Sequence, residues 1–241
     1  MTTFRVKIFA DGASLDDMRR LAERPVVRGF TTNPTLMRRA GVGDYARFAR
    51  EALDLIEGRP ISFEVLADDF CEMERQAREI ASWGGNVYVK IPISNTQGRP
   101  STALLRRLSA DGLRINVTAV MTMCQVASAV EALAGGAPSN ISIFAGRIAD
   151  TGRDPVPIVR EAVSMAAAEP SIEVIWASPR EVLNVDQADC AGCHIITLTT
   201  DLLNRLDMRG KSLDEFSRET VQMFYDDAVR SGFTLGEVKV Q

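Results

Sequence analysis

Short apolar runs alternate with longer amphipathic stretches along the whole 241-residue chain. The short runs predict eight strands, at residues 4–10, 27–31, 61–66, 86–91, 114–120, 140–145, 173–177 and 194–198. Between them, apolar residues recur at helical spacing and predict helices, for example at residues 15–24, 44–56, 69–83, 102–110, 123–133 and 155–168. Strands that are mostly apolar, each followed by a helix, are typical of a buried parallel sheet in an α/β protein.

Eight strand–helix repeats without a long linker predict a single domain over residues 1–241, built as a (β/α)₈ TIM barrel. Residues 212–232 predict an additional C-terminal helix outside the barrel, and we expect it to contact a neighbouring subunit. A doubly wound sheet is the alternative fold, but no Gly-rich dinucleotide fingerprint follows the first strand.

Composition and charge limit the kinds of molecule that the protein is expected to bind. The chain is 46% hydrophobic and 25% charged with a formal net charge of −4, which is ordinary for a globular protein. No basic patch indicates nucleic acid, and no apolar run reaches the roughly 18 residues of a membrane span. The N-terminal residues show no signal-peptide pattern, so a cytoplasmic protein is predicted.

Cysteine and histidine usage bears on metal chemistry. Cys190 and Cys193 have the spacing of a metal or redox site, but no second Cys/His pair accompanies them. Small, partly buried thiols are therefore the preferred interpretation. The only histidine, His194, stands at the start of the eighth strand, away from the carboxyl ends where barrel active sites form. This position argues against a His-dependent triad and a His-based metal site.

Lys90 lies near the end of the apolar fourth strand, within Val-Tyr-Val-Lys-Ile-Pro. An ammonium inside such a strand is destabilising unless it is paired, and burial favours the neutral amine. A neutral lysine attacks carbonyl carbons and forms a Schiff base. The alternative is a strand-end lysine that reaches water or pairs with a single carboxylate.

Polar residues lie at or just beyond the ends of almost all the other strands. They are Asp11, Thr31, Asn33, Glu64, Asn116, Thr118, Ser142, Arg147, Ser178 and Arg180, and Phe144 shares a strand face with Ser142. Singly, Asp11 could cap a helix, Asn33 could form a turn and Arg147 could pair at the surface. Together they would destabilise a barrel interior that had no polar ligand, so they predict a site. Lysine, carboxylates and hydroxyls suit imine chemistry, and the arginines suit a phosphate.

Five segments resemble the transaldolase family of class I (Schiff-base) aldolases. The most specific are residues 29–35, Gly-Phe-Thr-Thr-Asn-Pro-Thr, and 87–92, Val-Tyr-Val-Lys-Ile-Pro. Residues 116–118, 142–150 and 177–180 follow in the same order as in the family. The resemblance implies that Lys90 forms the Schiff base with the ketose carbonyl, and that no metal or cofactor is needed.

The resemblance also implies roles for the remaining polar residues. Asp11 would move the proton of the hydroxyl whose carbon–carbon bond breaks, while Glu64 and Thr118 would hold a proton-relaying water. Asn33 and Asn116 would bind sugar hydroxyls and the dihydroxyacetone moiety. The remaining binding residues would be Thr31, Ser142 and Phe144 in the pocket, and Arg147, Ser178 and Arg180 at the phosphate.

The resemblance implies a transaldolase of the pentose phosphate pathway that acts on small sugar phosphates as a homo-oligomer, a decamer or a dimer. A fructose 6-phosphate aldolase-like enzyme, which releases dihydroxyacetone, is the alternative. Glu64 and Phe144 favour transfer, because the aldolase pattern has Gln and Tyr at these positions. Pro179 in the phosphate loop and Gly12-Ala13 after Asp11 depart from the family pattern, which leaves a different sugar open. A catalytically inactive sugar-phosphate-binding barrel is the remaining alternative.

Overall fold

The computed structural model describes residues 4–232 and Leu235. The chain forms two compact units, Met1–Asn204 and Arg205–Gln241. The first unit contains all the strands among the described residues, and the second contains the last helix. The single domain expected over residues 1–241 stays a prediction.

Eight parallel strands close into a barrel in chain order, with β8 pairing back onto β1. The strands are β1 Lys7–Asp11, β2 Val27–Thr31, β3 Ile61–Glu64, β4 Val87–Pro92, β5 Ile115–Val120, β6 Ser139–Ile143, β7 Ile172–Trp176 and β8 Ile195–Thr199. The (β/α)₈ TIM barrel predicted from the sequence is confirmed.

Helices follow every strand within residues 4–204. They are α1 Leu15–Ala22, α2 Pro34–Arg39, α3 Tyr45–Leu55, α4 Phe70–Ala81, α5 Thr102–Ala110, α6 Met123–Leu133, α7 Ala145–Ala149, α8 Val156–Ala166, α9 Leu183–Cys190 and α10 Thr200–Arg205. Side-chain caps define several starts: Ser14, Asp44 and Asp69 each accept a hydrogen bond from a backbone N–H in the first turn.

The second unit contains a 3₁₀ turn, Leu206–Met208, and α11, Leu213–Ser231. The Ser212 hydroxyl accepts a hydrogen bond from the Glu215 N–H at the start of α11, and Gly232 ends the helix at a φ of 65°. The additional C-terminal helix is confirmed. None of the helices formed by the described residues is long and apolar enough to cross a bilayer.

Three strand boundaries differ from the prediction by two or three residues, and the other boundaries differ by at most one. The first strand begins at Lys7 because the N–H groups of Arg5 and Val6 donate to the Asp189 carboxylate, at 2.7 and 2.8 Å. The third strand ends at Glu64, two residues early. The sixth ends at Ile143, because the chain turns at Phe144 into the short helix α7.

The short helix α2 was not expected, because Asn33-Pro34 has the composition of a turn. Asn33 is instead the N-cap of α2, with its Oδ1 accepting from Leu36 N at 2.9 Å, and Pro34 occupies the first helical position. Proline is favoured there because its missing N–H has no helical acceptor.

The ring of Phe9 fills the barrel interior two residues before Asp11. A Cβ on Gly29 would lie 2.6 Å from this ring, so only glycine leaves room for it. Phe9 packs with Ile175, Ala177 and Ile195, and Phe144 contacts the same cluster. The polar residues lie beyond this apolar layer, at the carboxyl ends of the strands, where barrel active sites lie.

Candidate active site

Lys90 is 7% exposed on β4, and its ammonium has two partners. The Nζ atom donates to the backbone carbonyl of Thr32 at 2.6 Å and lies 3.2 Å from Glu64 Oε2. The strand register explains the ion pair, because Glu64 and Lys90 are directly paired across β3 and β4. The lysine is therefore buried, charge-compensated and held in one orientation.

Glu64 links Lys90 to the fifth strand. Its second oxygen, Oε1, accepts a long hydrogen bond of 3.5 Å from the Thr118 hydroxyl. Thr118 is 1% exposed and stands just before Ala119, whose φ of 59° accompanies a register irregularity between β5 and β6. Bulges of this kind often redirect side chains next to active sites. The carboxylate therefore has one oxygen at the lysine and one at a hydroxyl.

Asp11 lies at the end of β1, next to Thr31 on β2. The Thr31 hydroxyl donates to Asp11 Oδ1 at 2.8 Å. Burial raises the pKa of the Asp11 carboxyl above its usual 3.8, more than the charge of Lys90 and the Thr31 hydrogen bond lower it, and the charge of Glu64 raises it further. A carboxyl with a raised pKa beside a lysine is suited to accepting and returning a proton.

A buried hydrogen-bond chain crosses the interior from β3 to β6. The Ser142 hydroxyl donates to Asn116 Oδ1 at 2.7 Å, and Asn116 Nδ2 donates to Ser62 Oγ at 3.1 Å. All three residues are at most 4% exposed. The chain fixes the orientation of the Asn116 amide beside Lys90, its partner in the register of β4 and β5.

Asn33 and Phe144 have structural contacts of their own. The Asn33 amide oxygen caps α2, so only its Nδ2 group is left for another acceptor. Phe144 is the N-cap of α7, and its ring contacts the apolar Phe9 cluster. Their roles in substrate binding stay predictions.

The phosphate-site candidates stand on α7 and on the segment after β7. Arg147 is exposed, and its side chain makes no hydrogen bond or ion pair within residues 4–232. Arg180 forms a two-pronged ion pair with Asp150: Nε lies 3.1 Å from Oδ1, and Nη2 contacts Oδ2. Ser178 has a φ of 60°, a conformation that residues other than glycine rarely adopt.

Gly146 allows α7 and the segment after β7 to lie in close contact. A Cβ at this position would lie 1.6 Å from the Ser178 carbonyl oxygen and 3.2 Å from Arg180 Nε. The segment after β7 can therefore approach α7 only where a glycine stands. This close approach brings Ser178 and Arg180 beside the helix that carries Arg147.

Sequence reasoning missed four groups that hold the site residues. Ser62 had a signal, since it lies two residues before Glu64 and so on the same strand face. The Thr32 carbonyl carries no side-chain signal. Tyr45, whose hydroxyl bonds to the Glu64 backbone, is on a helix distant in sequence, and Asp150 is the loop partner of Arg180.

The cysteine pair is divided between two environments. Cys190 is exposed, whereas Cys193 is buried with its thiol 3.3 Å from the carbonyls of Val174 and Ile195. Burial raises the pKa of the Cys193 thiol to about 12. Among the described residues, no group of three or more His, Cys, Asp or Glu side chains is arranged to hold a metal ion.

The fold and the site define a (β/α)₈ barrel protein with a buried lysine and two carboxyl groups at the carboxyl ends of its strands. A family model described as Transaldolase/Fructose-6-phosphate aldolase matches residues 8–235. The chain belongs to this family, and the expectation of an enzyme of the transaldolase family is confirmed.

Three relatives named "Probable transaldolase" illustrate the similarity. The protein of Dehalococcoides mccartyi is 35% identical over 202 residues, 83% of this chain and 90% of the relative. The Roseiflexus castenholzii protein is 36% identical over 201 residues, covering 83% and 88%. The Desulforudis audaxviator protein is 35% identical over 226 residues, covering 93% and 98%.

A solved structure agrees on the fold at much lower identity. It is the crystal structure of a Burkholderia cenocepacia J2315 protein, with a TM-score of 0.59 and 14% identity. The match covers 98% of this chain and 89% of that protein. At this identity the likeness concerns the fold alone.

Proposed function

We propose that this protein is a transaldolase. It transfers a dihydroxyacetone unit from fructose 6-phosphate or sedoheptulose 7-phosphate to glyceraldehyde 3-phosphate or erythrose 4-phosphate through a Schiff base on Lys90. The observation that carries the proposal is the buried Lys90, whose Nζ lies 3.2 Å from Glu64 Oε2. The pKa of the Asp11 carboxyl is raised by burial, and the charge of Lys90 opposes that rise. This is the inventory that imine chemistry needs.

In the first stage, Glu64 accepts a proton from the Lys90 ammonium, and the neutral amine attacks the C2 carbonyl of the ketose. The carbinolamine that forms loses its hydroxyl as water when Glu64, with Thr118, delivers a proton through a bound water. The product is a protonated imine. General acid–base catalysis of this kind contributes roughly 10²–10⁴-fold.

In the second stage, the carboxylate of Asp11 accepts the proton of the C4 hydroxyl. The C3–C4 bond breaks, its electron pair enters the imine to give an enamine, and the aldose phosphate leaves. Attack of the enamine on an acceptor aldehyde reverses these steps, with Asp11 returning the proton. Hydrolysis then frees Lys90.

The remaining residues bind the substrate. Asn116 and Ser142, with Thr31 and Asn33, hydrogen-bond to sugar hydroxyls, and Phe144 forms an apolar wall. The phosphate binds to Arg147, Ser178 and Arg180, where it competes with Asp150 for the Arg180 guanidinium. Binding energy from this distant group orients the reacting carbon atoms.

Transfer is favoured over release by the two residues that differ from the aldolase pattern. Phe144 has no hydroxyl that could protonate the enamine, and it contacts an apolar cluster. We also propose that the enzyme works in the cytoplasm, in the pentose phosphate pathway, as a homo-oligomer.

The experiment is a coupled assay for glyceraldehyde 3-phosphate from fructose 6-phosphate, with and without erythrose 4-phosphate. We expect product only with the acceptor. Equal product without it, together with free dihydroxyacetone, would assign the protein to the aldolase-like group. No product in either arm, with retained binding of fructose 6-phosphate, would indicate an inactive barrel.

A further inference from the structure

Tyr45, the first residue of α3, makes an unusual pair of hydrogen bonds with the backbone of Glu64. Its hydroxyl donates to the Glu64 carbonyl at 3.0 Å and accepts from the Glu64 N–H at 2.8 Å. A single phenol oxygen thus satisfies both backbone groups of the last residue of β3.

In a parallel barrel, these two groups would normally bond to the neighbouring strand. On the β4 side the ladder continues past Glu64, because Val65 N donates to Lys90 O at 3.1 Å. On the β2 side the pairing ends with Thr31 and Ser62, and Thr32 N makes the last bond, to Ser62 O. The chain of β2 then turns into α2 at Asn33, so no strand is left beside Glu64 on that side.

We infer that Tyr45 is a positioning residue for the proposed proton relay, with its hydroxyl replacing the missing strand at the end of β3. Resting on the proposed function, this role acts through Glu64, whose carboxylate must contact Lys90 at 3.2 Å and Thr118 at 3.5 Å. In this role the Tyr45 hydroxyl contacts the backbone of Glu64 and takes no part in the proton transfer itself.

The Tyr45 ring also packs in an aromatic cluster, while its two hydrogen bonds to the Glu64 backbone fix the position of the hydroxyl. The Tyr45 ring meets the Trp83 ring edge to face at 5.3 Å and the Phe63 ring at 6.1 Å. Phe63 immediately precedes Glu64 and is fully buried. Burial raises the pKa of Tyr45, so its hydroxyl keeps its proton and remains a donor to the carbonyl. Such pairs of aromatic rings prefer this T-shaped geometry.

The test is a double-mutant cycle of Tyr45→Phe and Glu64→Gln. The rate of imine formation with fructose 6-phosphate is followed by borohydride quenching and intact mass, and KM is measured separately. We expect Tyr45→Phe to slow imine formation about tenfold with KM changed less than twofold, since the loss of an ordinary hydrogen bond corresponds to about this factor. In the Glu64→Gln background, the same change should have less than a twofold effect.

Two further variants separate the hydroxyl from packing. Tyr88→Phe removes the other barrel tyrosine hydroxyl, which makes no hydrogen bond within residues 4–232, and should leave the rate unchanged. Trp83→Phe disturbs the aromatic cluster without removing the Tyr45 hydroxyl, and should lower the melting temperature but not the rate.

The inference is overturned if Tyr45→Phe forms the imine at the wild-type rate, or slows it equally with and without Glu64. It is also overturned if Trp83→Phe slows imine formation as much as Tyr45→Phe does. Absence of an adduct in the wild type is a different outcome, because it removes the proposed function itself.

Discussion

The barrel has a lysine–glutamate ion pair at each end, and the two pairs differ in their surroundings. Lys7 and Glu173, near the amino ends of β1 and β7, have side chains that are 42% and 33% exposed. The side chains of Lys90 and Glu64, at the carboxyl ends of β4 and β3, are 9% and 19% exposed. The residue types are the same, so the difference in chemistry comes from burial and from neighbouring groups.

The solvated pair is self-contained. The Lys7 ammonium contacts both Glu173 oxygens, at 2.5 and 2.8 Å. In the buried pair, each partner has a second contact: Lys90 with the Thr32 carbonyl and Glu64 with Thr118. Glu64 thus contacts both the lysine and a hydroxyl, and the charge of Lys90 acts against the rise that burial causes in the pKa of Asp11. This arrangement suits proton transfer.

The largest effect in this series is expected for Asp11→Asn. Asparagine can still accept the Thr31 hydrogen bond but cannot take up the proton of the C4 hydroxyl, so we expect kcat for transfer to fall about 10³-fold. Imine formation, measured by borohydride trapping of an early time point, should change much less.

Asp11→Asn also has a stability consequence. Because the pKa of Asp11 is raised, the folded state holds this proton more tightly than the unfolded chain does. The contribution of Asp11 to wild-type stability therefore decreases as pH rises from about 3.8 through the folded pKa. In denaturant unfolding across this range, the stability of the wild type relative to Asp11→Asn should fall as pH rises. An identical pH dependence in the two proteins would contradict the raised pKa.

Replacing the glutamate of each pair compares the two ends directly. Glu64→Gln leaves a buried lysine without its counter-ion, so we expect a loss of about 3 kcal/mol in the free energy of unfolding. It should also slow imine formation about 10²-fold. Glu173→Gln, its matched control, should cost less than about 1 kcal/mol and leave the rate unchanged, because its pair is solvated. Equal losses would mean that burial does not distinguish the pairs.

The smallest effect concerns another ion pair, Arg180–Asp150, whose side chains are 47% and 48% exposed. Arg180→Ala removes a charged phosphate donor, so KM for fructose 6-phosphate should rise about 10- to 100-fold. Trapping of dihydroxyacetone, which has no phosphate, should be unaffected. Arg153→Ala, an exposed arginine just beyond Asp150, is the matched control. A rise in KM with both variants would point to general surface charge.

The sequence predicted the barrel because its strands are short, apolar and regularly separated by amphipathic helices. Lys90 was recognisable because a charge inside an apolar strand needs an explanation, and Asp11, Glu64 and Thr118 because they stand at strand ends. The helix α2 was missed because it has only six residues and begins with a turn-like Asn-Pro pair.

The supporting contacts were not predictable for physical reasons. The carbonyl of Thr32 belongs to the backbone, which is the same in every residue. Tyr45 fits the ordinary amphipathic pattern of α3, and only the early end of β2 gives its hydroxyl a special partner. Asp150 pairs with Arg180 because Gly146 lets α7 and the segment after β7 approach each other closely. This proximity cannot be deduced from a single sequence.

The central claim is that Lys90, not merely any lysine, forms the covalent intermediate. The sequence has four lysines, so the site of an adduct can be assigned unambiguously by peptide mapping. The measurement is intact mass after borohydride treatment with fructose 6-phosphate, for the wild type, Lys90→Met and Lys7→Met. We predict one reduced three-carbon adduct in the wild type and in Lys7→Met, and none in Lys90→Met. An adduct that persists in folded Lys90→Met, or a folded wild type that forms none, would contradict the account.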